Sequence, residues 1–180
     1  MEKNAQDNLI LVDIYDNEIG YAPKLEVHVK EQLHRAFSVF FVHDGKMLIQ
    51  RRNLEKYHSG GLWANACCSH PRWGETLEDA IQKRMEEELG ILKGSCHPKE
   101  LFAFTYYSRY EKLSEYEFDH VFLTDYHGEI QADPDEIMET RWVELEELQK
   151  EMQETPAKFS TWFLIAAPRV MEYVLENTLG

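Results

Sequence analysis

Three histidines, His28, His34 and His70, and two carboxylates two residues apart, Glu115 and Glu117, are the side chains best suited to hold a metal ion. Imidazole suits zinc, iron, copper or nickel, whereas carboxylates shift the preference toward manganese and magnesium. Five such ligands exceed a closed tetrahedral zinc site and fit a larger coordination sphere, with zinc or manganese as the ion. Spacing alone does not bring the five together. A thiol and an imidazole stand two residues apart at Cys68 and His70, and Cys67 puts a second thiol beside the first. In an extended segment, Cys67 and Cys68 would point to opposite faces. Arg51, Arg52 and Lys56 form the densest basic spot in the first half and lead directly into the cysteine segment. A solvated strand end is the plainer account of those charges.

The elements that must position these groups are legible in part. Residues 9–15 read as a first strand and 16–20 as the turn after it. Lys24 follows, then His28 and His34 on either side of a charged segment. Six apart, the two histidines would not share a helix face, and they could converge from a strand or a loop. Two exposed histidines in a connector is the alternative. Residues 37–42 and 47–50 are strands, with Asp44-Gly45 favouring a hairpin between them. The clearest helix spans 76–89, capped by Thr76, with Asp79 three residues on and Gly90 as the stop. Its apolar stripe is Leu77, Ala80, Ile81, Met85 and Leu89, and Arg84 and Glu88 fall inside that stripe. An ionised carboxylate there is paired or bound to a metal, so Glu88 either pairs with Arg84 one turn away or ligates a cation.

Residues 102–107 form an aromatic strand. Along 115–126, alternation places Glu115, Glu117, Asp119, Val121 and Leu123 on one strand face, with Tyr116 and Phe118 turned away. A solvent-facing strand end is the alternative for the carboxylates. Residues 133–136 make a turn, 138–143 a short strand and 144–152 an acidic helix. An apolar helix begins near residue 158, with Pro168 expected to kink or split it. Trp162 and Phe163 are most simply core packing.

A chain of 180 residues with 43% hydrophobic and 29% charged residues suits one soluble domain. A formal net charge of -14 argues against nucleic acid as a partner, and any anion site must be local. No apolar run spans a bilayer, and residues 1–7 are polar and acidic, unlike a signal peptide. Three cysteines make no disulfide framework, so a reducing, cytoplasmic setting is expected. Oligomeric state is not encoded legibly.

Several motifs in order carry a family resemblance. Leu33-His34-Arg35-Ala36-Phe37-Ser38, then Trp63-Ala64-Asn65-Ala66-Cys67-Cys68-Ser69-His70-Pro71, then the close Glu87-Glu88-Leu89-Gly90-Ile91, and finally Glu115-Tyr116-Glu117 resemble type I isopentenyl-diphosphate delta-isomerases of the Nudix superfamily. The resemblance implies one Nudix-like domain over 1–180, with its core at about 33–170. It implies an α+β fold, an α/β sandwich in which helices flank a mixed β-sheet. It implies conversion of isopentenyl to dimethylallyl diphosphate, in isoprenoid biosynthesis, by protonation and deprotonation across the alkene. Residues matching His28, His34, His70, Glu115 and Glu117 would bind one divalent ion, manganese or zinc. Glu88 would hold magnesium against the diphosphate, and Lys24, Arg52 and Lys56 would contact it. Cys68 and Glu117 would face each other across the alkene.

Physical chemistry supports those residue types. A thiol with an ordinary pKa of about 8.5 is mostly protonated at neutral pH and can donate. Glu117, held by a metal and a tyrosine, is the partner acid or base. Tyr106 is the chosen tyrosine, with Tyr107 its rival. Trp162 could stabilise a transient carbocation through its ring face. Departures from the hydrolase pattern point the same way: Lys83-Arg84 stands where Nudix hydrolases carry Arg-Glu, and Arg84 can be neither ligand nor base. A pyrophosphohydrolase is the runner-up. A diphosphate sensor and a structural metal domain come after it.

Overall fold

The computed structural model describes residues 7–56 and 58–178. Of the polar N-terminal stretch, residues 1–6 lie outside them. The element order is β1 (Asn8–Val12), β2 (Glu18–Pro23), α1 (Lys24–Val29), β3 (His34–His43), β4 (Lys46–Arg52), β5 (Trp63–Asn65), β6 (Cys67–Ser69), α2 (Leu77–Leu89), β7 (Lys99–Arg109), β8 (Ser114–Thr124), β9 (Ile137–Glu144), α3 (Leu145–Glu154) and α4 (Thr161–Thr178).

Strand β3 is the spine. It pairs antiparallel with β1, β4 and β6 and parallel with β8, so that His34 stands opposite Glu117 and Ser38 opposite Cys68. Its run of apolar residues follows from burial on both faces. Phe37, Val39 and Phe41 join Ile81, Met85 and Leu89 beneath α2, while Phe40 and Val42 join Leu148, Phe163 and Ala167 beneath α3 and α4. The result is a curled mixed sheet between helical layers. The β3–β4 hairpin turns at Asp44 and Gly45, both at positive φ (52° and 75°), as an Asp-Gly pair favours.

Helix α2 forms as its pattern predicts. The Asp79 amide donates to Thr76 Oγ1 at 3.1 Å, and Gly90 closes the helix at φ 68°. Leu77 packs at the margin of the core, and Glu88 is buried within the stripe.

Three expectations need correction. The first turn lies at 13–17, not 16–20, because Asp13 Oδ1 accepts from the amides of Tyr15 (2.8 Å) and Asn17 (3.0 Å), which starts β2 at Glu18. His28 comes from neither strand nor loop but from α1, a six-residue helix after Pro23, too short for a period to show. Pro168 does not split the last helix: α4 runs unbroken from Thr161 to Thr178, held where Ala166, Ala167 and Val170 are fully buried.

Candidate active site

The parallel pairing of β3 and β8 and the placement of α1 beside β8 bring the candidate metal ligands together. His28, His34, His70 and Glu115 are all buried, and one ligand atom from each lies within 4.8 Å of the others. Glu117 joins them, with its Oε1 2.7 Å from His70 Nε2 and 3.9 Å from His34 Nε2. His28 Nε2 is 3.1 Å from Glu115 Oε1, and His34 Nε2 is 3.8 Å from Glu115 Oε2.

Backbone carbonyls fix the tautomers. His28 Nδ1 donates to Lys24 O at 2.5 Å and His34 Nδ1 donates to Gln32 O at 2.9 Å, since a carbonyl can only accept. The Nε2 lone pair of the neutral His34 ring then faces the carboxylates, with no hydrogen-bond partner despite full burial. Such a nitrogen, 3.8 Å from Glu115 Oε2 and 3.9 Å from Glu117 Oε1, suits a bound cation. The donor set, imidazoles oriented by their outer nitrogens and carboxylates together, fits a divalent metal ion.

Burial holds the ring of His34 at about 3 and that of His70 at about 4, so both stay neutral at pH 7. His28 moves up, because hydrogen bonding and charge from Glu115 outweigh burial. Burial also opposes the Glu115 charge, yet hydrogen bonds from His28 and His58 hold this carboxyl well below its usual range. Glu117 is pushed well above it, by burial first and by the neighbouring Glu115 charge second. Two carboxyls thus share one buried space and cannot both ionise freely.

Tyr106 Oη donates to Glu117 Oε2 at 2.6 Å, whereas Tyr107 is exposed on the other strand face. Cys68 and Glu117, from strands on either side of β3, line one pocket with Lys24, Arg52, Lys56, His58, Arg84, Glu88, Tyr106, Glu136 and Trp162. Burial pushes the Cys68 thiol up to about 12, although the Arg52 charge works the other way. Arg52 Nη1 lies 3.9 Å from Cys68 Sγ, and its guanidinium sits 5.2 Å from the Trp162 ring centre. The Trp162 indole donates to Asn65 Oδ1 at 3.0 Å, which fixes its ring at the pocket wall as well as in the core. Cys67 points the other way, fully buried beneath α2.

At the cationic end, Arg84 pairs with Glu88, the plainer of the two accounts of that residue, and Lys56 pairs with Glu136. Glu88 lies outside the histidine cluster. Sequence reasoning missed His58, Glu136 and Asp119. His58 Nε2 is 2.8 Å from Glu115 Oε1. Ser38 Oγ donates to Asp119 Oδ2 at 2.8 Å, a buried bond that fills the gap between β3 and β8. Only the position of His58, two residues beyond Lys56, could have signalled it.

Residues 32–163 match the sequence profile of the NUDIX domain. Isopentenyl-diphosphate Delta-isomerase 2 of Aromatoleum aromaticum is 42% identical to this chain over 177 residues, 97% of this chain and 92% of that protein. Isopentenyl-diphosphate Delta-isomerase of Serratia proteamaculans is 44% identical over 158 residues, 87% of each. The chain belongs to the isopentenyl-diphosphate delta-isomerase family of NUDIX-domain proteins. Solved structures agree on the fold. DR0079 of Deinococcus radiodurans superposes with a TM-score of 0.75 at 19% identity, covering 90% of this chain and 98% of that one. A MutT NUDIX hydrolase of Burkholderia pseudomallei gives 0.62 at 23% identity, covering 77% and 98%. Among the described residues, no helix is long and apolar enough to cross a membrane.

Proposed function

We propose that this protein converts isopentenyl diphosphate to dimethylallyl diphosphate, with Cys68 and Glu117 as its acid–base pair. The observation that carries the reading is the pocket itself. A thiol held in its protonated form and a tyrosine-bound carboxyl share it with a buried His/Glu cluster and a group of Lys and Arg side chains.

The reaction adds one proton to the terminal methylene and removes one from the methylene between the tertiary alkene carbon and the diphosphate-bearing carbon, so no atom is gained or lost. We assign donation to Cys68 Sγ–H, which burial keeps protonated, and acceptance to Glu117, whose charged form a divalent ion would favour against the burial and the Glu115 charge that push its carboxyl up. The Tyr106 hydroxyl favours the charged form of Glu117 by donating to Oε2. The Trp162 face, fixed by Asn65, would stabilise positive charge developing on the tertiary carbon. Lys24, Arg52 and Lys56 bind the diphosphate end of the pocket.

His28, His34, His70, Glu115 and Glu117 would hold one divalent ion, manganese or zinc, whose charge would favour the Glu117 carboxylate, and Glu88 would hold magnesium, which would supply positive charge for the diphosphate. Arg84 is a poor substitute for a catalytic carboxylate, so pyrophosphate cleavage is not expected. The small-molecule substrate, one Nudix-like domain and cytoplasmic residence complete the reading.

The test compares isomerase turnover of the parent with Cys68→Ala and Glu117→Gln. Each variant should lose several orders of magnitude in kcat while still binding the diphosphate. Full turnover by Cys68→Ala would remove the thiol from the mechanism.

A further inference from the structure

We infer that His58 is a positioning residue: it orients Glu115 within the histidine cluster and ties the loop of residues 53–62 to that cluster. The inference rests on the cation-binding reading above and adds to it a histidine that no motif singles out.

The contact is direct. His58 Nε2 lies 2.8 Å from Glu115 Oε1, and both side chains are buried, at 7% and 1% exposure. A carboxylate only accepts, so the ring donates from Nε2 and that nitrogen is spent on Glu115. His58 also stands outside the group His28, His34, His70 and Glu115, whose ligand atoms lie within 4.8 Å of one another, so it is read as a support for a ligand and not as a ligand. Glu115 Oε1 receives His58 on one side and His28 Nε2 at 3.1 Å on another. The rotation this fixes turns Oε2 toward His34 and His70, whose Nε2 atoms both lie 3.8 Å away. Without His58, one of the groups that set the rotation of this carboxylate is gone.

The imidazole is itself clamped. Tyr110 stacks on it at 4.9 Å between ring centres and 29° between planes, and Trp162 meets it edge-on at 5.8 Å and 78°. Ser59 Oγ lies 3.1 Å from His58 Nδ1 and 3.2 Å from the Tyr110 hydroxyl. The loop that presents it is tightly wound. Ser59 and Gly61 have φ of 52° and 78°, and a Cβ on Gly60 would sit 2.5 Å from the Leu54 carbonyl oxygen. Such a turn accepts few alternative conformations.

The same loop carries Lys56 and receives Arg52, whose Nη2 donates to the His58 carbonyl at 3.4 Å. One short segment thus reaches from the diphosphate-binding cations to the carboxylate of the cluster. Groups that orient a metal ligand characteristically govern affinity by about 10- to 100-fold.

The experiment is a manganese titration of chelator-treated full-length protein, followed by electron paramagnetic resonance of the free ion. It is run in a His127→Ala background, which breaks the exposed group of His43, Asp125 and His127 at the far end of β3. His58→Ala should weaken manganese binding by about 10- to 100-fold. His58→Gln, which retains an N–H for Glu115, should recover most of the loss. Activity of His58→Ala should return at saturating manganese, which places the defect in cation affinity. Equal affinity in His58→Ala and the parent would overturn the inference alone. Failure of His58→Gln to recover affinity, with parent-like circular dichroism and Tm, would also overturn it. A parent whose manganese binding survives Glu115→Gln would overturn the cluster reading and this inference with it.

Discussion

Replacing Tyr106 with Phe isolates one hydrogen bond at the reacting carboxyl. The ring stays where it packs, 5.7 Å from the Phe104 ring centre and inside the core beneath α4, so the fold should be unaffected. Only the donor to Glu117 Oε2 is lost. At 2.6 Å this contact falls in the short range of hydroxyl–carboxylate bonds, and a bond to a charged group is worth about 1.5–3 kcal/mol. If the bond is present in full at the transition state, kcat should fall by about 10- to 150-fold. KM should hold, because Lys24, Arg52 and Lys56 bind the diphosphate without help from Tyr106. The pH profile adds a sign. Tyr106 pulls the Glu117 pKa down, so its loss should carry the acid limb of kcat toward higher pH. The assay is steady-state isomerase kinetics from pH 5 to 9 on parent and variant. Unchanged kcat, or a loss confined to KM, would refute the assignment of Tyr106 to Glu117.

Three further outcomes are expected. Arg84→Met leaves the buried Glu88 carboxylate without its guanidinium, so the chelated protein should lose about 3–5 kcal/mol in urea unfolding. Added magnesium should restore part of that loss, and no rescue would argue against Glu88 as a cation ligand. Asn65→Ala removes the acceptor of the Trp162 indole and the donor to Val39 O and Cys67 O, all buried. A cost of about 2–4 kcal/mol should appear in the same unfolding measurement. Iodoacetamide reacts with thiolates, so in chelated native protein at pH 8.5 Cys68 should be labelled about a thousandfold more slowly than a free thiol. Peptide mass spectrometry reads that rate, and labelling at the free-thiol rate would contradict a Cys68 proton donor.

The elements most legible in the sequence were those with a single strong local signal. Helix α2 announced itself through Thr76, its apolar stripe and Gly90, and the β3–β4 hairpin through Asp44-Gly45 between two apolar runs. Strand β8 was read from alternation, which also placed Glu115 and Glu117 on one face. Helix α1 was invisible because six residues carry less than two turns of periodicity. The early turn was misplaced because an Asp13 side chain, not backbone pattern, sets it. Convergence was the larger gap. Nothing in spacing says that β3 and β8 run parallel with His34 opposite Glu117, a pairing fixed by burial of both faces of β3. The family resemblance supplied that grouping. His58 lay beyond both routes, because its partner Glu115 is 57 residues away and contact depends on how the 53–62 loop folds back. Helical geometry left an Arg84–Glu88 pair and a cation at Glu88 both open, and the structure shows the pair, whereas magnesium at Glu88 rests on the resemblance.

The most direct test follows isopentenyl diphosphate by proton NMR in deuterium oxide, with purified protein, magnesium and manganese. The account predicts loss of the vinyl methylene signals and appearance of dimethylallyl diphosphate with deuterium in a methyl group, and it predicts that chelation stops both. Released phosphate with no isomer would contradict it and favour a pyrophosphohydrolase. Tight binding with neither product would point to a diphosphate sensor.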